Sequence, residues 1–167
     1  MLTTYCFVNL TELFYSATIL TMASKGFFIT GTDTGVGKTF VAAGISAVLK
    51  EKGINIGVMK PVETGCPEKD GRLEPQDALY LKNAAGVSDV LDLINPYRFK
   101  APLAPSIASR KEGKTVELHR IKECYDKLAS QHNLMLVEGA GGLLTPLNEN
   151  ETVADLIKLL NLPIIII

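Results

Sequence analysis

The chain has 167 residues, 47% of them apolar, and a formal net charge of −1, which suits one globular domain with a sizeable core. A charge this close to neutral gives no reason to expect a nucleic-acid-binding protein. The three cysteines, Cys6, Cys66 and Cys124, are widely spaced. They therefore fit neither a disulfide framework nor a CxxC zinc motif, and they indicate a reducing compartment.

The first 22 residues contain no Lys or Arg, and polar residues interrupt their apolar runs. A secretory signal needs a basic start, and a membrane span needs about 20 apolar residues. Met22 looks like a natural start just before the first predicted strand. We therefore predict that residues 1–22 are an extension outside the fold and that residues 23–167 form the domain. A weak targeting or interaction segment at 1–22 is the alternative.

A glycine-rich turn with the sequence GTDTGVGKT, at 31–39, separates a predicted strand from a predicted helix. Such a turn can point backbone N–H groups at a phosphate, and the helix N-terminus adds partial positive charge. Lys38 would reach the β- and γ-phosphates, and the Thr39 hydroxyl would contact Mg²⁺. We therefore predict a nucleoside-triphosphate site, although Thr32 stands where the consensus has its first glycine. The alternative is a strand-to-helix turn that only looks like a phosphate loop.

The rest of the chain alternates predicted strands and helices. A strand at 54–60 follows the first helix and completes a parallel strand–helix–strand unit. Further predicted elements are a loop at 64–71, a helix beginning at Pro75, an apolar stretch at 91–99 that Pro96 interrupts, helices at 106–110 and 116–131, a strand at 133–138 with a glycine-rich turn after it, and a helix at 153–160.

The chain ends on four isoleucines at 164–167, which predict a fully buried parallel strand. A buried strand at the last residue suggests that the chain is truncated at its C-terminus, and a natural terminal strand is the alternative. The whole pattern predicts an α/β fold like that of P-loop NTPases, in which a parallel sheet has helices on both faces.

Ligands bind parallel α/β sheets at the carboxyl ends of the strands, where Lys60 and Glu138 are predicted to lie. Lys60 could stabilise charge in phosphoryl transfer or hold an anionic substrate; the alternative is a solvated lysine. Glu138 follows a buried strand, where P-loop proteins place a metal carboxylate, or it is an ordinary polar strand end. Asp77 lies in a first helical turn. Because Mg²⁺ prefers oxygen ligands, we predict that Thr39, Asp77 and Glu138 bind it.

Together these motifs resemble the dethiobiotin synthetase family from about residue 26 to residue 167. The phosphate loop is similar to that family's modified loop, which carries one extra residue. The sequences KPVETG and VEGAGG resemble its second and third signatures. The matching stretches are 28–39, 60–65, Asp77-Ala78, 95–99, 101–105, and 137–142 with Thr145-Pro146.

The resemblance implies ATP- and Mg²⁺-dependent ring closure of 7,8-diaminononanoate with CO₂ to dethiobiotin, ADP and phosphate, in biotin biosynthesis. One amine captures CO₂ as a carbamate, whose oxygen attacks the γ-phosphate to form a carbamic-phosphoric anhydride. The second amine then closes the ring. The resemblance implies catalytic roles for Lys60 and Lys38 and substrate contacts for Thr64 and Lys60. The implied ATP-binding residues are Gly35, Val36, Gly37, Lys38, Thr39, Phe40, Asp77, Glu138, Gly139, Ala140 and Gly141.

The resemblance also implies a cytoplasmic homodimer in which the partner subunit holds part of the substrate tail, with no nucleic-acid or membrane partner. Gly35 stands where some family members carry an acidic residue near the purine ribose. The family's nucleotide-base site and its last sheet strands lie beyond position 167. We therefore expect this chain to be weakly active or inactive unless the missing part is supplied.

Three other functions stay open at this point. A cobyrinate amidase-type or phosphotransacetylase-associated domain has the same fold but no reason to combine the 60–62 motif with Thr64. A partitioning-type ATPase switch commonly carries a second lysine after the first glycine of the loop, where this chain has Thr or Asp. An inactive, truncated interaction module would keep the same site residues.

Overall fold

A computed structural model describes residues 25–167; the predicted extension at 1–22 lies outside the described residues. No helix within 25–167 has the length and apolar character needed to cross a membrane. In chain order, the elements are β1 (Gly26–Gly31), α1 (Lys38–Glu51), β2 (Ile56–Met59), β3 (Val62–Thr64), β4 (Glu68–Lys69), β5 (Arg72–Leu73), α2 (Gln76–Ala85), α3 (Leu91–Ile94), β6 (Tyr97–Phe99), α4 (Pro105–Lys111), α5 (Leu118–Ala129), β7 (Leu134–Gly142), α6 (Val153–Leu160) and β8 (Ile164–Ile166).

The main sheet has four strands in the order β2-β7-β1-β8, and all of its pairings are parallel. Because β7 lies between β1 and β2, the predicted strand–helix–strand unit is confirmed as parallel but its two strands are not neighbours. Ile29 pairs with Glu138, and Met59 pairs with Val137. This register brings the carboxyl ends of β1, β2 and β7 to the same edge of the sheet.

Helices cover both faces of this sheet, as the alternating pattern predicts. Successive side chains of a strand point to opposite faces. Phe28 and Val137 therefore join one core with residues of α5 and α6, whereas Ile29 and Leu136 join a second core with residues of α1 and α2. These four side chains are at most 1% exposed. The sheet therefore holds the two hydrophobic cores together.

The strand predicted at 133–138 is longer in the structure. β7 continues to Gly142 through the stretch predicted as a glycine-rich turn, so that prediction is wrong. Gly142 pairs with Gly31 after a register shift in β1. A Cβ atom at Gly142 would lie 3.1 Å from the Gly31 carbonyl oxygen. The glycines here therefore allow two strands to approach closely instead of ending one of them.

The C-terminal isoleucines form a parallel strand, β8, but the prediction that it is fully buried is wrong. Ile164 is 44% exposed and Ile166 is 60% exposed. Within the described part, β8 pairs with β1 and forms the outer edge of the sheet. Because an edge strand has a neighbour on one side only, part of its surface stays open to solvent.

The predicted loop at 64–71 contains the first half of a small antiparallel hairpin formed by β4 and β5. Its two connecting residues, Asp70 and Gly71, have φ values of 51° and 74°. Left-handed φ values at both central positions are what a two-residue type I′ hairpin requires. A separate parallel pair, β3 and β6, lies beside the main sheet and carries the 62–64 segment.

Candidate active site

A cleft of about 780 Å³ opens at the carboxyl edge of the main sheet. Its walls come from the loop after β1, the start of α1, the ends of β2 and β7, strand β3, the start of α2 and residues 102–105. Predicted site residues on these walls are Gly35, Gly37, Lys38, Thr39, Phe40, Lys60, Thr64, Asp77, Glu138, Ala140 and Gly141. The structure therefore brings most of the predicted site residues together.

Two of the predicted nucleotide-binding residues lie beside this cleft rather than on its walls. Val36 is 37% exposed at the tip of the phosphate loop. Gly139 is buried, and a Cβ atom there would lie 2.8 Å from the ring of Phe28. Gly139 therefore allows close packing beneath the site.

The predicted phosphate loop joins β1 to α1. Gly35 and Gly37 have φ values of 77° and 101°, which favour glycine because a side chain is disfavoured there. Gly37 is the N-cap of α1, and no side chain caps this helix. The first N–H groups of α1 are therefore available to an anion. Lys38 Nζ folds back over the loop and donates to the Asp33 carbonyl oxygen at 2.5 Å.

Lys60 joins the two carboxylates that the sequence singles out. Its Nζ atom lies 2.9 Å from Asp77 Oδ2 and 2.6 Å from Glu138 Oε1. The side chains of Lys60 and Glu138 are 5% and 1% exposed, and that of Asp77 is 41% exposed. Burial opposes the charge of Lys60, but the two carboxylates outweigh burial and raise its pKa above the ordinary value. Lys60 is therefore held as a cation.

Lys38 shares the cleft with Lys60. Burial lowers the pKa of Lys38, and the positive charge of Lys60 lowers it further. The two ammonium groups therefore repel each other, and the carboxylates of Asp77 and Glu138 offset part of their charge. A multiply charged anion, such as a nucleotide phosphate, would relieve this repulsion.

The oxygen atoms of Thr39, Asp77 and Glu138 fit the donor set that Mg²⁺ prefers. Thr39 Oγ1 donates to Glu138 Oε1 at 2.7 Å. Glu138 Oε2 is buried and has no hydrogen-bond partner within the described residues, so a cation would satisfy it. Residues 25–167 hold no group of three His, Cys, Asp or Glu side chains that could bind a metal ion by themselves. A metal here would therefore also need phosphate or water oxygens.

Glu63 is a site residue that motif reasoning missed. Its Oε1 and Oε2 atoms accept the backbone N–H groups of Asp77 and Ala78, each at 3.0 Å. Burial raises the pKa of Glu63, and the nearby Asp77 raises it further, although the two N–H donors oppose this. The sequence contains one signal for such a residue. Helix α2 begins after Pro75, whose side chain cannot cap a helix, so its first N–H groups need an acceptor from another part of the chain.

Asn95 is a second residue that the motifs did not mark. It is fully buried, and its Nδ2 atom donates to the Lys60 carbonyl oxygen at 2.7 Å. The Lys60 N–H donates to the Ile94 carbonyl oxygen at 2.8 Å. Both backbone groups of Lys60 are therefore fixed by the turn after α3.

The segments that match the family's second and third signatures both line the cleft, and the ion pair between Lys60 and Glu138 joins them. Gly65 N–H donates to the Ala101 carbonyl oxygen at 3.1 Å, which joins the KPVETG segment to the 101–105 segment. On the other side, Gly142 N–H donates to Thr145 Oγ1 at 2.9 Å. Both signatures therefore lie at the carboxyl edge of the sheet.

A family described as "AAA domain" matches residues 25–167, which are all of the residues that the structure describes. The chain belongs to this AAA-domain family. The match includes the phosphate loop, Lys60 and both carboxylates. The AAA-domain assignment and the parallel sheet with helices on both faces confirm the predicted fold class.

This AAA-domain chain is also similar to curated proteins named ATP-dependent dethiobiotin synthetase BioD. It is 46% identical over 149 residues to the protein of Thermodesulfovibrio yellowstonii, covering 85% of this chain and 62% of that protein. For Methanococcus vannielii the identity is 41% over 140 residues, covering 84% and 63%. For Bacillus licheniformis it is 46% over 144 residues, covering 86% and 60%. The resemblance seen in the motifs is confirmed, and the chain spans about three-fifths of the length of these relatives.

Proposed function

We propose that this chain carries the phosphate- and carbamate-binding part of an ATP-dependent dethiobiotin synthetase. The reaction would convert 7,8-diaminononanoate, CO₂ and ATP into dethiobiotin, ADP and phosphate. One observation carries the proposal: Lys38, Lys60, Asp77 and Glu138, from four separate parts of the chain, converge on one cleft beside the phosphate loop. The names of the similar proteins support it.

The nucleotide would bind along the phosphate loop. The N–H groups of residues 35–40 and the ammonium of Lys38 would hold the phosphates, and the backbone of residues 139–141 would line the opposite wall. Thr39, Asp77 and Glu138 would hold Mg²⁺ through their oxygens. When bound, Mg²⁺ neutralises charge on the β- and γ-phosphate oxygens.

The substrate would bind at the Lys60 side of the cleft, near the Thr64 hydroxyl. One amine nitrogen attacks the CO₂ carbon and loses a proton, which leaves a carbamate anion that the Lys60 ammonium can pair with. A carbamate oxygen then attacks the γ-phosphorus, and the bond to the bridging oxygen of ADP breaks. The second amine attacks the carbonyl carbon of the resulting anhydride, loses a proton, and expels phosphate as the urea ring closes.

In this reaction the protein would act through charge and position. Every new bond forms between substrate, CO₂ and ATP atoms, so no side chain has to become covalently attached. Lys38 and Lys60 would stabilise the negative charge that develops on the transferred phosphoryl group and on the carbamate. Their fixed positions would also hold the two anions close enough to react.

We also propose that the protein works as a cytoplasmic homodimer, without a nucleic-acid or membrane partner. The net charge of −1 gives no electrostatic footprint for a polyanion. Leu144 is 82% exposed and Ile107 is 52% exposed, and they offer apolar surface near the cleft for a second copy. Sedimentation equilibrium tests this part of the proposal; a monomer at all concentrations would contradict it.

The deciding experiment is to incubate the purified chain with diaminononanoate, ¹³C-bicarbonate and Mg-ATP and to analyse the products by mass spectrometry. We expect ¹³C-labelled dethiobiotin together with equal amounts of ADP and phosphate, at a low rate, and no product from the Lys60→Met variant. ATP hydrolysis that needs no diamine and increases with lipid or DNA would favour the ATPase switch instead. A chain that binds no nucleotide would favour the interaction module.

A further inference from the structure

Glu63 holds the start of α2 from a distant part of the chain. It lies on β3, where it pairs with Arg98 of β6, and it is 7% exposed. Its two carboxylate oxygens accept the N–H groups of Asp77 and Ala78, each at 3.0 Å. One buried carboxylate therefore satisfies two of the N–H groups that a helix start leaves without a helical partner.

Helix α2 depends on this carboxylate because its own N-cap supplies nothing. The N-cap residue is Pro75, and no side-chain hydrogen bond caps the helix. A negative charge at a helix N-terminus also interacts favourably with the helix dipole. Hydrogen bonds from N–H groups to an ionised carboxylate are roughly twice as strong as neutral ones. Glu63 therefore takes the place of the missing capping side chain.

The first of the two N–H groups belongs to Asp77, whose carboxylate contacts Lys60 at 2.9 Å. The Asp77 side chain is 41% exposed, so packing around it restricts it little. Its position is set by the backbone at the start of α2, which Glu63 fixes. We propose that Glu63 is a positioning residue that holds Asp77 in place for Lys60 and for the Mg²⁺-nucleotide. This inference rests on the proposed function.

A Glu63→Gln substitution tests the idea with little change in side-chain volume. The glutamine oxygen can accept one of the two N–H groups, but its NH₂ group faces the other donor. Residues that orient a metal ligand typically change metal affinity by about 10- to 100-fold when they are altered. We therefore expect Glu63→Gln to raise the Mg²⁺ concentration for half-maximal nucleotide binding by about 10-fold.

The experiment titrates Mg²⁺ against the full chain with a fluorescent ADP analogue, so the readout is binding and not turnover. Four proteins are compared: the wild type, Glu63→Gln, Asp77→Asn and the double variant. If Glu63 acts through Asp77, the double variant shows no larger shift than Asp77→Asn alone. The proposal would be overturned if Glu63→Gln left the Mg²⁺ midpoint unchanged. It would also be overturned if the fold-change in the double variant equalled the product of the two single fold-changes.

Thr152→Ala is the matched control, because Thr152 caps helix α6 and lies outside the cleft. It should lower the melting temperature and leave the Mg²⁺ midpoint unchanged. Glu63→Asp keeps the charge on a shorter side chain and should restore part of the Mg²⁺ affinity lost in Glu63→Gln. A loss of Mg²⁺ affinity in Glu63→Asp with none in Glu63→Gln would indicate that the side chain only fills space, which would contradict the proposal.

Amide hydrogen exchange gives a test that needs neither ligand nor activity. In the wild type, the Asp77 and Ala78 amides should be protected, and Glu63→Gln should reduce that protection while Asp77→Asn should not. Rapid exchange of both amides in the wild type would refute the contact itself. Failure of the proposed function would look different: Mg²⁺-dependent nucleotide binding would persist, the Glu63 effects would remain, and no dethiobiotin would form.

Discussion

The Lys60 ammonium lies 2.6 Å from Glu138 Oε1, and less than a tenth of either side chain is exposed. The same oxygen accepts a hydrogen bond from the Thr39 hydroxyl. Taking two charges out of water is costly, and their attraction compensates only while both are present. Lys60, which we propose for catalysis, and Glu138, which we propose for Mg²⁺ binding, therefore also help to hold β7 to the end of β2.

The first prediction concerns loss of the Lys60 charge. Lys60→Met leaves the Glu138 carboxylate buried without its cation, and breaking a buried pair in this way costs about 3–5 kcal/mol. Asp77 adds less because its side chain is partly exposed and solvent screens it. We expect urea unfolding at pH 7 to show this loss. The double variant Lys60→Met/Glu138→Gln should recover part of it, because no buried charge remains unpaired.

The control for this prediction is the exposed pair between Lys100 and Glu68, whose atoms are 2.7 Å apart. Lys100→Met should leave the unfolding free energy almost unchanged, since exposed ion pairs contribute little. If Lys60→Met and Lys100→Met destabilise the chain equally, then burial does not decide the strength of the Lys60 pair.

The second prediction compares two glycines. Gly141 has a φ of 65°, and a Cβ atom there would clash with Thr145 Oγ1. Gly141→Ala should therefore lower the unfolding free energy by about 1–2 kcal/mol, and it should weaken nucleotide binding because residue 141 lies on the cleft wall. Gly44 lies inside α1 with open space around it, so Gly44→Ala should stabilise the chain by about 0.5–1 kcal/mol. If both substitutions changed the unfolding free energy in the same direction, the explanation from backbone conformation and space would be wrong.

The third prediction is a pH dependence at the start of α6. Hydrogen bonds from the Thr152 hydroxyl and N–H lower the pKa of Asp155 below its ordinary value of 3.8. A carboxyl with a lowered pKa adds stability above the unfolded-state value and loses it as pH falls through the folded-state value. Thr152→Ala should cost about 1 kcal/mol at pH 7.

The difference in unfolding free energy between wild type and Thr152→Ala should narrow as pH falls below 3.8 and through the lowered pKa of the folded Asp155 carboxyl. It should not vanish, because the Thr152 hydroxyl also accepts a backbone N–H of the first turn. Denaturant unfolding of both proteins at a series of pH values from 7 to 3 measures this difference in unfolding free energy. A difference that grows as pH falls would contradict the assignment of the cap to an ionised Asp155.

The elements with strong local signals could be predicted from the sequence. Helix α6 has the predicted bounds, 153–160, because its apolar spacing and its end signals agree. β7 was predicted too short, because glycines at 139–142 also signal a turn and their role depends on the neighbouring strand. The burial of Ile164 could not be predicted, since a run of identical apolar residues does not show where a strand lies in its sheet.

Contacts between distant residues explain what else the sequence did not predict. His132 contacts Asn55 Oδ1 at 2.7 Å and Asp89 Oδ2 at 3.0 Å, and no local spacing connects these three positions. Glu63 was missed for the same reason, although the 60–65 motif that contains it was recognised. Lys38, Lys60, Asp77 and Glu138 were predicted because each stands in the sequence at the end of an apolar run or at the start of a helix, where topology alone indicates the edge of the sheet.

The fourth prediction separates the effect of the Thr39 hydroxyl from the effect of the branched shape of its side chain. Thr39 Oγ1 donates to Glu138 Oε1 at 2.7 Å, and a hydrogen bond to a charged group contributes about 1.5–3 kcal/mol. Thr39→Val removes the hydroxyl but keeps the branched shape, so we expect a loss in this range by urea unfolding and a higher Mg²⁺ requirement for nucleotide binding. Thr39→Ser keeps the hydroxyl and should remain close to wild type in both measurements.

Chelation of Mg²⁺ with EDTA should weaken nucleotide binding in the wild type and in Thr39→Ser much more than in Thr39→Val. An equal effect of EDTA on all three would place the metal away from Thr39.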